Sequence, residues 1–126
     1  MKNRIIRFGI ASPSEVQRRM HDTMKGKRKP KPRDPKIWFE SYQALAQVLS
    51  SKNRKLLSLI READIQSIKH LADLSGRHVS NLHNTLKMFE SYGLVKIIDG
   101  GRGKKIPKVT FDKIEITDAI DADIAA

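Results

Sequence analysis

Residues 67–94, SIKHLADLSGRHVSNLHNTLKMFESYGL, decide the fold that we predict for this chain. Ser67 is a suitable N-cap, and apolar residues then recur with helical spacing up to Gly76, which can adopt the positive φ that ends a helix. A second amphipathic segment follows and ends at Gly93. The pattern predicts two helices joined by a tight turn, with apolar faces of Ile68, Leu71, Ala72 and Leu74 in the first and Val79, Leu82, Leu86 and Phe89 in the second.

The residue types at the junction are typical of a helix-turn-helix. Ala72 allows a close approach of the two helices, Gly76 allows the bend, and Leu82 fills the junction. The opposite face of the second helix carries short polar groups that suit base edges and phosphates. These are Arg77, Ser80, Asn84, Lys87 and Ser91, with Asn81 at the margin. The alternative interpretation is a helical hairpin within some other small core.

A basic hairpin is expected directly after the second helix. Residues 94–99, LVKIID, and 105–111, KIPKVTF, are strand-like, and the segment between them is glycine-rich and basic. The order of helix-turn-helix and basic hairpin is that of a winged helix. The loop does not match the GxxxxGK[ST] pattern of a nucleotide-phosphate loop, and a solvated turn that is basic by chance is the alternative.

Composition and charge favour a nucleic-acid partner. The 126 residues carry a formal net charge of +11 and a pI of about 10.1, which indicates nucleic acid or another anionic surface as partner. Residues 1–36 carry +9, 37–92 carry +2, 93–108 carry +4 and 109–126 carry −4. The absence of cysteine argues against a disulfide framework and a thiolate zinc site. With no signal peptide or membrane span in the sequence, we expect a cytoplasmic protein that does not bind membranes.

The N-terminal third is expected to form a strand, a helix and a basic arm. Residues 2–11 alternate as a strand does, and 12–15, SPSE, resemble a capping box that starts a helix over 13–25. Its apolar stripe is narrow (Val16, Met20, Met24), so the helix packs on the protein's own surface or meets a partner. The proline-rich segment 25–36 is either a solvated tether or an arm along DNA phosphates, with Lys27, Arg28 and Lys29 as the contacts.

Further elements complete the predicted domain. Trp38 and Phe39 mark the start of the core or a dimer anchor, and helices are expected over 41–49 and 52–63. Ile65 and Gln66 are expected to add a short strand to the hairpin. A last strand is expected within 111–117. The alternation and opposite charges of 4–10 and 111–117 predict that these two strands pair, within one chain or swapped across a dimer.

Nothing in the sequence indicates an enzyme, a cofactor or a metal site. The four histidines, His21, His70, His78 and His83, lack HExxH or similar ligand spacing. His78 and His83 flank the second helix of the helix-turn-helix, where they are interpreted as surface or phosphate-contacting groups.

Four stretches carry a resemblance to a known group of proteins. Residues 35–50, 53–95 and 109–116, together with RIIRFGIASPSE at 4–15, resemble the short prokaryotic winged-helix predicted transcriptional regulators related to the MarR type. The resemblance implies DNA binding and repression, and some members look like antitoxins encoded beside a toxin. The MarR ligand pocket needs long dimerisation helices at both ends, which this sequence does not have, so sensing of a small molecule is not implied.

The sequence therefore predicts an α+β protein with three segments: an extension over 1–35, a winged helix-turn-helix domain over 36–117, and an acidic frayed tail over 118–126. The expected function is sequence-specific binding of double-stranded DNA by a homodimeric repressor. The alternatives are an antitoxin that binds a toxin and regulates its own operon, and an architectural or RNA-binding protein. The candidate DNA contacts are Arg77, His78, Ser80, Asn81, His83, Asn84, Lys87, Arg102, Lys104, Lys105, Lys27, Arg28 and Lys29.

Overall fold

The computed structural model describes residues 3–27, 29 and 31–120, and these residues form the expected α+β fold. They divide into two compact units, one of the described residues within 1–47 and 112–120 (the terminal unit) and one of residues 48–111 (the central unit). The elements in chain order are β1 (Ile5–Ile10), α1 (Pro13–Met24), β2 (Ile37–Phe39), α2 (Tyr42–Val48), α3 (Ser51–Glu62), α4 (Ile68–Ser75), α5 (Val79–Ser91), β3 (Val95–Asp99), β4 (Lys105–Val109) and β5 (Lys113–Asp118).

The terminal unit is built on a parallel sheet with the strand order β2-β1-β5. The predicted pairing of the two terminal strands is confirmed, and it occurs within one chain, in a register from Ile5 opposite Lys113 to Ile10 opposite Asp118. The opposite charges meet as expected. Arg4 Nε lies 3.3 Å from Asp112 Oδ2, and Arg7 Nε lies 3.0 Å from Glu115 Oε1.

The helix between β1 and β2 begins as the sequence predicts. The Ser12 hydroxyl accepts from the N–H of Glu15, and the Glu15 carboxylate accepts from the N–H of Ser12 at 2.8 Å, which completes the capping box. Because α1 connects two parallel strands, β1, α1 and β2 form a β-α-β unit.

Strand β2 has no counterpart among the predicted elements. Trp38 and Phe39 are predicted as core or dimer anchors; Phe39 lies in the core, whereas Trp38 is half-buried. Phe39 is buried and meets Phe8 edge to face, with ring centroids 5.3 Å apart. Trp38 lies opposite Gly9 in the sheet register, and a Cβ at Gly9 would come within 2.4 Å of the indole ring. The absence of a side chain at Gly9 therefore makes room for Trp38.

The compact units do not follow the segment boundaries drawn from the sequence. Strand β2 and all of β5 except Asp118 lie within the predicted segment 36–117, yet both strands belong to the sheet of the terminal unit. The functional division into 1–35, 36–117 and 118–126 stays a prediction. Of the predicted frayed tail, Asp118 ends β5, and residues 121–126 lie outside the described part of the chain.

The central unit contains three helices and an antiparallel hairpin. Ser50 and Ser67 cap α3 and α4 through their hydroxyls, and Gly76 ends α4 at a φ of +73°. β3 and β4 pair from Val95 opposite Val109 to Asp99 opposite Lys105. The apolar core of this unit consists of Val48, Leu56, Leu57, Ile60, Ile65, Leu71, Ala72, Leu82, Leu86, Phe89, Leu94, Val95 and Phe111.

Three expectations about the central unit are wrong. Leu74, predicted on the apolar face of α4, is 49% exposed, because it lies in the last turn of that helix, beyond the buried Leu71 and Ala72. Ile65 and Gln66 form no strand, because their N–H groups already donate locally, to the Ala63 carbonyl at 3.1 Å and to His70 Nδ1 at 3.0 Å. Val79 is 40% exposed and does not join the apolar face of α5. As the first residue of that helix, it leans towards the helix N-terminus and the turn, away from the packed residues.

Candidate nucleic-acid interface

The orientation of α5 about its own axis is set by its buried side. Leu82 and Phe89 are fully buried and Leu86 is 2% exposed, and these residues lie on one face of the helix. Rotation of α5 would bring apolar surface into water and polar groups into the core. The side opposite Leu82 is therefore held towards solvent.

The exposed side of α5 is polar and free of acidic groups over three turns. From Val79 to Phe89 the sequence contains no Asp or Glu, and Glu90 is the only acid in the helix. The predicted contact residues on this side are all exposed, namely Ser80, Asn81, His83, Asn84 and Lys87. His78 is exposed too and is the N-cap residue, although its side chain does not cap the helix.

Arg77 differs from the other candidates because it is half-buried and has partners within the protein. Its guanidinium donates to the Lys52 carbonyl at 2.8 Å and to the Asn53 side-chain oxygen at 3.4 Å. Asn53 in turn donates to the Val48 carbonyl at 3.0 Å. Arg77 therefore ties the turn before α5 to the start of α3. Its predicted contact with bases stays a prediction, and a guanidinium has five N–H donors for both tasks.

A groove of about 640 Å³ lies beside the contact of Arg77 with α3, and it is lined by basic residues that are not among the predicted DNA contacts. Lys52 and Lys55 of α3 line it together with Arg77 and Asn81, and its apolar part comes from Leu56, Leu59 and Leu74. The signal was present in the sequence: SKNRK at 51–55 places three cations in the first turns of α3 without an acid. Sequence alone did not indicate that this turn meets the start of α5.

The loop between β3 and β4 is ordered by its own backbone. The Gly100 N–H donates to the Lys104 carbonyl at 2.9 Å, the Lys104 N–H to the Gly101 carbonyl at 3.0 Å, and the Gly101 N–H to the Asp99 carboxylate at 2.9 Å. Gly101, Arg102 and Gly103 all have positive φ, which two glycines adopt without strain. The predicted phosphate contacts are exposed, Arg102 and Lys104 on this loop and Lys105 as the first residue of β4.

Two of the three candidates in the basic arm lie among the described residues, and both belong to the terminal unit. Lys27 and Lys29 are exposed, and Arg28 lies outside the described residues. The Lys27 N–H donates to the Asp22 carbonyl at 2.9 Å, so this part of the arm continues from the end of α1.

In the ranges 3–27, 29 and 31–120, no three His, Asp or Glu side chains come together as a group that could hold a metal ion. Within the same part of the chain, each helix is too short or too polar to cross a membrane.

Fold and surface together define an α+β protein with a polar, acid-poor helix face and a basic hairpin loop in one contiguous unit. The chain belongs to the HVO_A0114 family, whose model matches residues 48–116. The matched region spans the whole central unit and extends into β5. No curated protein and no solved structure matches the chain.

Proposed function

We propose that this protein is a DNA-binding transcriptional regulator whose central unit is a winged helix-turn-helix domain. In this proposal α4 and α5 are the helix-turn-helix, and the β3–β4 hairpin is the wing. The observation that carries the proposal is the exposed face of α5, which is polar, lacks acids from Val79 to Phe89 and is held outward by Leu82, Leu86 and Phe89. Carboxylates on that face would repel phosphates, and their absence removes this barrier.

The exposed face of α5 would enter the major groove. Asn84 is near its centre, and an Asn side chain can donate to and accept from the edge of adenine in a bidentate pair. Ser80 and Asn81 would reach bases or sugars one turn earlier, and Lys87 would contact a phosphate one turn later. Arg77 would support this contact indirectly, since it holds the turn before α5 against α3.

The remaining cations would hold the domain in register on the DNA backbone. Phosphate contacts supply most of the affinity without carrying sequence information. Arg102, Lys104 and Lys105 would approach phosphates from the wing, and Lys52 and Lys55 from the groove beside α5. Two copies bound to two half-sites would repress transcription by occupying the promoter.

The proposal is tested by a footprint on the DNA upstream of the gene's own start, followed by binding measurements at one stated salt concentration. We expect affinity for the footprinted site to exceed that for random DNA by about a thousandfold or more. Equal affinity for the two would contradict sequence reading and would favour the architectural alternative.

A second candidate function is that of an antitoxin, and the surface of α1 favours it. Met20 is 60% exposed and Met24 is 85% exposed. Both line an apolar groove of about 390 Å³ that also contains Val16, Pro35 and Trp38. Flexible methionines are common on protein-binding surfaces.

The antitoxin proposal predicts that the chain co-purifies with the product of a neighbouring gene. Replacing Met20 and Met24 with Gln should abolish that association and leave DNA binding by the free chain unchanged. Matched replacement of the exposed Leu74, which lies in the central unit, should not affect it. Co-purification that survives the methionine replacements would show that α1 is not the docking surface.

A further inference from the structure

We propose that the outer edge of β5 binds a second copy of this chain, with the two β5 strands antiparallel about a twofold axis at Ile114. This pairing would join the two terminal units through one continuous sheet. It goes beyond DNA binding and does not depend on it, because every residue involved lies in the terminal unit.

The two edges of the sheet differ in how well they are protected. β2 has three residues and is preceded by Pro35 and Lys36. A short strand, a proline and a lysine each limit the pairing of a sheet edge with another strand. β5 has six residues and contains neither proline nor glycine. Among the residues that the structure describes, β5 pairs with β1 alone, so its other side presents unpaired backbone groups. A long unprotected edge is a template for another strand.

Apolar side chains accompany the open edge. Ile116 within β5 is 47% exposed, and Ile120 just after it is 80% exposed. On the inner side of the same strand pair, Phe8 lies opposite Ile116 and is completely buried. The exposure of Ile116 therefore arises from its place in the outermost strand.

The charges of β5 select a second copy as the occupant and Ile114 as the centre. When Ile114 lies opposite its counterpart, Lys113 of each copy lies opposite Glu115 of the other. Because the strand is its own complement in this register, two opposite-charge pairs form at once across an isologous interface. Hydrogen-bonded and non-hydrogen-bonded residue pairs alternate along an antiparallel ladder. With the two Ile114 residues as a hydrogen-bonded pair, Lys113 and Glu115 form the adjacent non-hydrogen-bonded pairs, in which the side chains lie closest together.

The neighbouring symmetric registers are worse. An axis at Glu115 would place the two Glu115 carboxylates opposite each other and Asp112 opposite Asp118. An axis at Ile116 would place Lys113 and Glu115 opposite the uncharged Ala119 and Thr117 of the other copy. Each of the axes at Ile114 and Ile116 sets one isoleucine opposite an aspartate, but of the three axes only the one at Ile114 pairs Lys113 with Glu115 across the interface. It extends the existing contacts of Glu115 with Arg7 at 3.0 Å and Lys113 at 3.5 Å.

The expected dimer is concentration-dependent. A single strand pair buries less than the ~1,200–2,000 Å² that is usual for stable protein interfaces. Sedimentation of the full chain over a range of concentrations should therefore show a reversible monomer–dimer equilibrium. A chain that stays monomeric at all accessible concentrations would contradict the proposal.

The register can be tested by disulfide trapping, because the protein has no cysteine of its own. In the proposed dimer the two Ile114 Cα atoms are about 5.5 Å apart, within disulfide range. The two Ile116 Cα atoms are more than ~13 Å apart. Ile114→Cys should thus give a disulfide-linked dimer on mild oxidation, and the matched control Ile116→Cys should stay monomeric. Trapping at residue 116 in preference to 114, or at neither, would overturn the register.

A charge-swap experiment tests the partner. Lys113→Glu or Glu115→Lys creates two like-charge pairs in a homodimer, and we expect association to weaken roughly tenfold in each variant. A mixture of the two variants restores both opposite-charge pairs and should form a heterodimer of near wild-type affinity.

Two controls make the charge swap interpretable. Lys69→Glu, the same charge change on the exposed surface of α4, should leave association unchanged. Fluorescence of Trp38, the only tryptophan, reports whether the terminal unit of each variant is folded. If the mixture of folded variants fails to associate, or if Lys69→Glu weakens the dimer equally, then β5 does not bind a second copy in this way.

Discussion

The two units expose different kinds of surface. The terminal unit leaves Met20, Met24, Tyr42, Ile116 and Ile120 in contact with solvent, together with an open strand edge. In the described part of the central unit, the exposed large apolar side chains are Leu74 and Val79, and the face of α5 is polar. Exposed apolar surface favours protein partners, and polar, basic surface favours nucleic acid. This difference supports the proposals that the terminal unit binds a protein partner and that the central unit binds nucleic acid.

The units also differ in how the chain builds them. The central unit is one continuous stretch, and several of its contacts join consecutive elements, such as α4 with α5 and β3 with β4, although α3 and α4 also pack on β4. The sheet of the terminal unit joins β1 to β5, more than one hundred residues later, in the register Ile5 opposite Lys113. Local patterns can specify the first kind of assembly, whereas the second depends on partners that no local window contains.

The largest expected effect concerns the packing that holds α5 in place. Leu82→Ala should lower the free energy of unfolding by about 2–5 kcal/mol, because it leaves a cavity at a fully buried position. Val79→Ala on the same helix should change it by less than ~1 kcal/mol, since Val79 is 40% exposed. Denaturant titration measures both. Equal costs would mean that Val79 packs in solution as Leu82 does.

The wing prediction tests the assignment of nucleic-acid binding to the central unit. Replacing Arg102, Lys104 and Lys105 with Ala should weaken binding to all DNA sequences and reduce the slope of log K against log salt by roughly 0.9 per lost contact. The matched control replaces the same residues with Lys, Arg and Arg, which keeps the charge and should keep the slope. An unchanged slope in the Ala variant would show that the loop does not approach DNA.

The close approach of Gly9 and Trp38 offers a test confined to the terminal unit. Gly9→Ala places a Cβ about 2.4 Å from the indole carbons, so the ring must move. We expect a loss of about 1–3 kcal/mol in the free energy of unfolding, with a shift in Trp38 emission. In a Trp38→Ala background the added methyl group meets no indole ring. The double variant should therefore lose less free energy of unfolding than the two single variants lose together. Additive costs would contradict the contact.

The next prediction distinguishes contacts of α5 with DNA bases from contacts with the DNA backbone. Asn84→Ala should lower affinity for the operator by about 1–3 kcal/mol and leave non-specific binding nearly unchanged. Gln43→Ala, an exposed amide on α2, serves as the control and should change neither affinity. Equal losses on operator and random DNA would show that Asn84 contacts only the backbone.

The smallest expected effect concerns pH and the start of α1. The Ser12 N–H, with help from the Ser12 hydroxyl, holds the pKa of the Glu15 carboxyl below its ordinary value. A carboxyl whose pKa is depressed by folding stabilises the folded state above its unfolded pKa. That contribution is lost as pH falls through the lower folded pKa. Glu15→Gln should therefore reduce the loss of α1 helix that accompanies acidification, as measured by NMR or circular dichroism between about pH 2 and 6. If the variant lost the same amount of α1 helix over this pH range, the loss would be due to other carboxyl groups.

Much of the central unit could be predicted because its signals are local. Ser67 as an N-cap, Gly76 as the end of α4 and the alternation in 94–99 and 105–111 each act within a few residues. The predicted strand at Ile65 and Gln66 does not form, and the cause is also local. Ile65 and Gln66 resemble a strand by composition, but their N–H groups donate to Ala63 and His70.

In the terminal unit, the sequence predicted which strands pair but not the whole sheet. The complementary charges of Arg4 and Arg7 with Asp112 and Glu115 carried that prediction, and both ion pairs form. The addition of β2 beside β1 had no such signal. Its pairing depends on the space that Gly9 leaves for Trp38, which becomes visible only when the two strands lie side by side.

The candidate site divides in the same way. By itself, the sequence determined the helices, the turn, the basic hairpin and the polar, acid-poor face of α5, because periodicity and residue type specify which side of an element is buried. Only the tertiary structure decided that Arg77 is held by Lys52 and Asn53, that Lys52 and Lys55 lie beside Asn81, and that β5 is an open edge. These features depend on contacts between elements separated along the chain, and such contacts arise from the packing of the whole core.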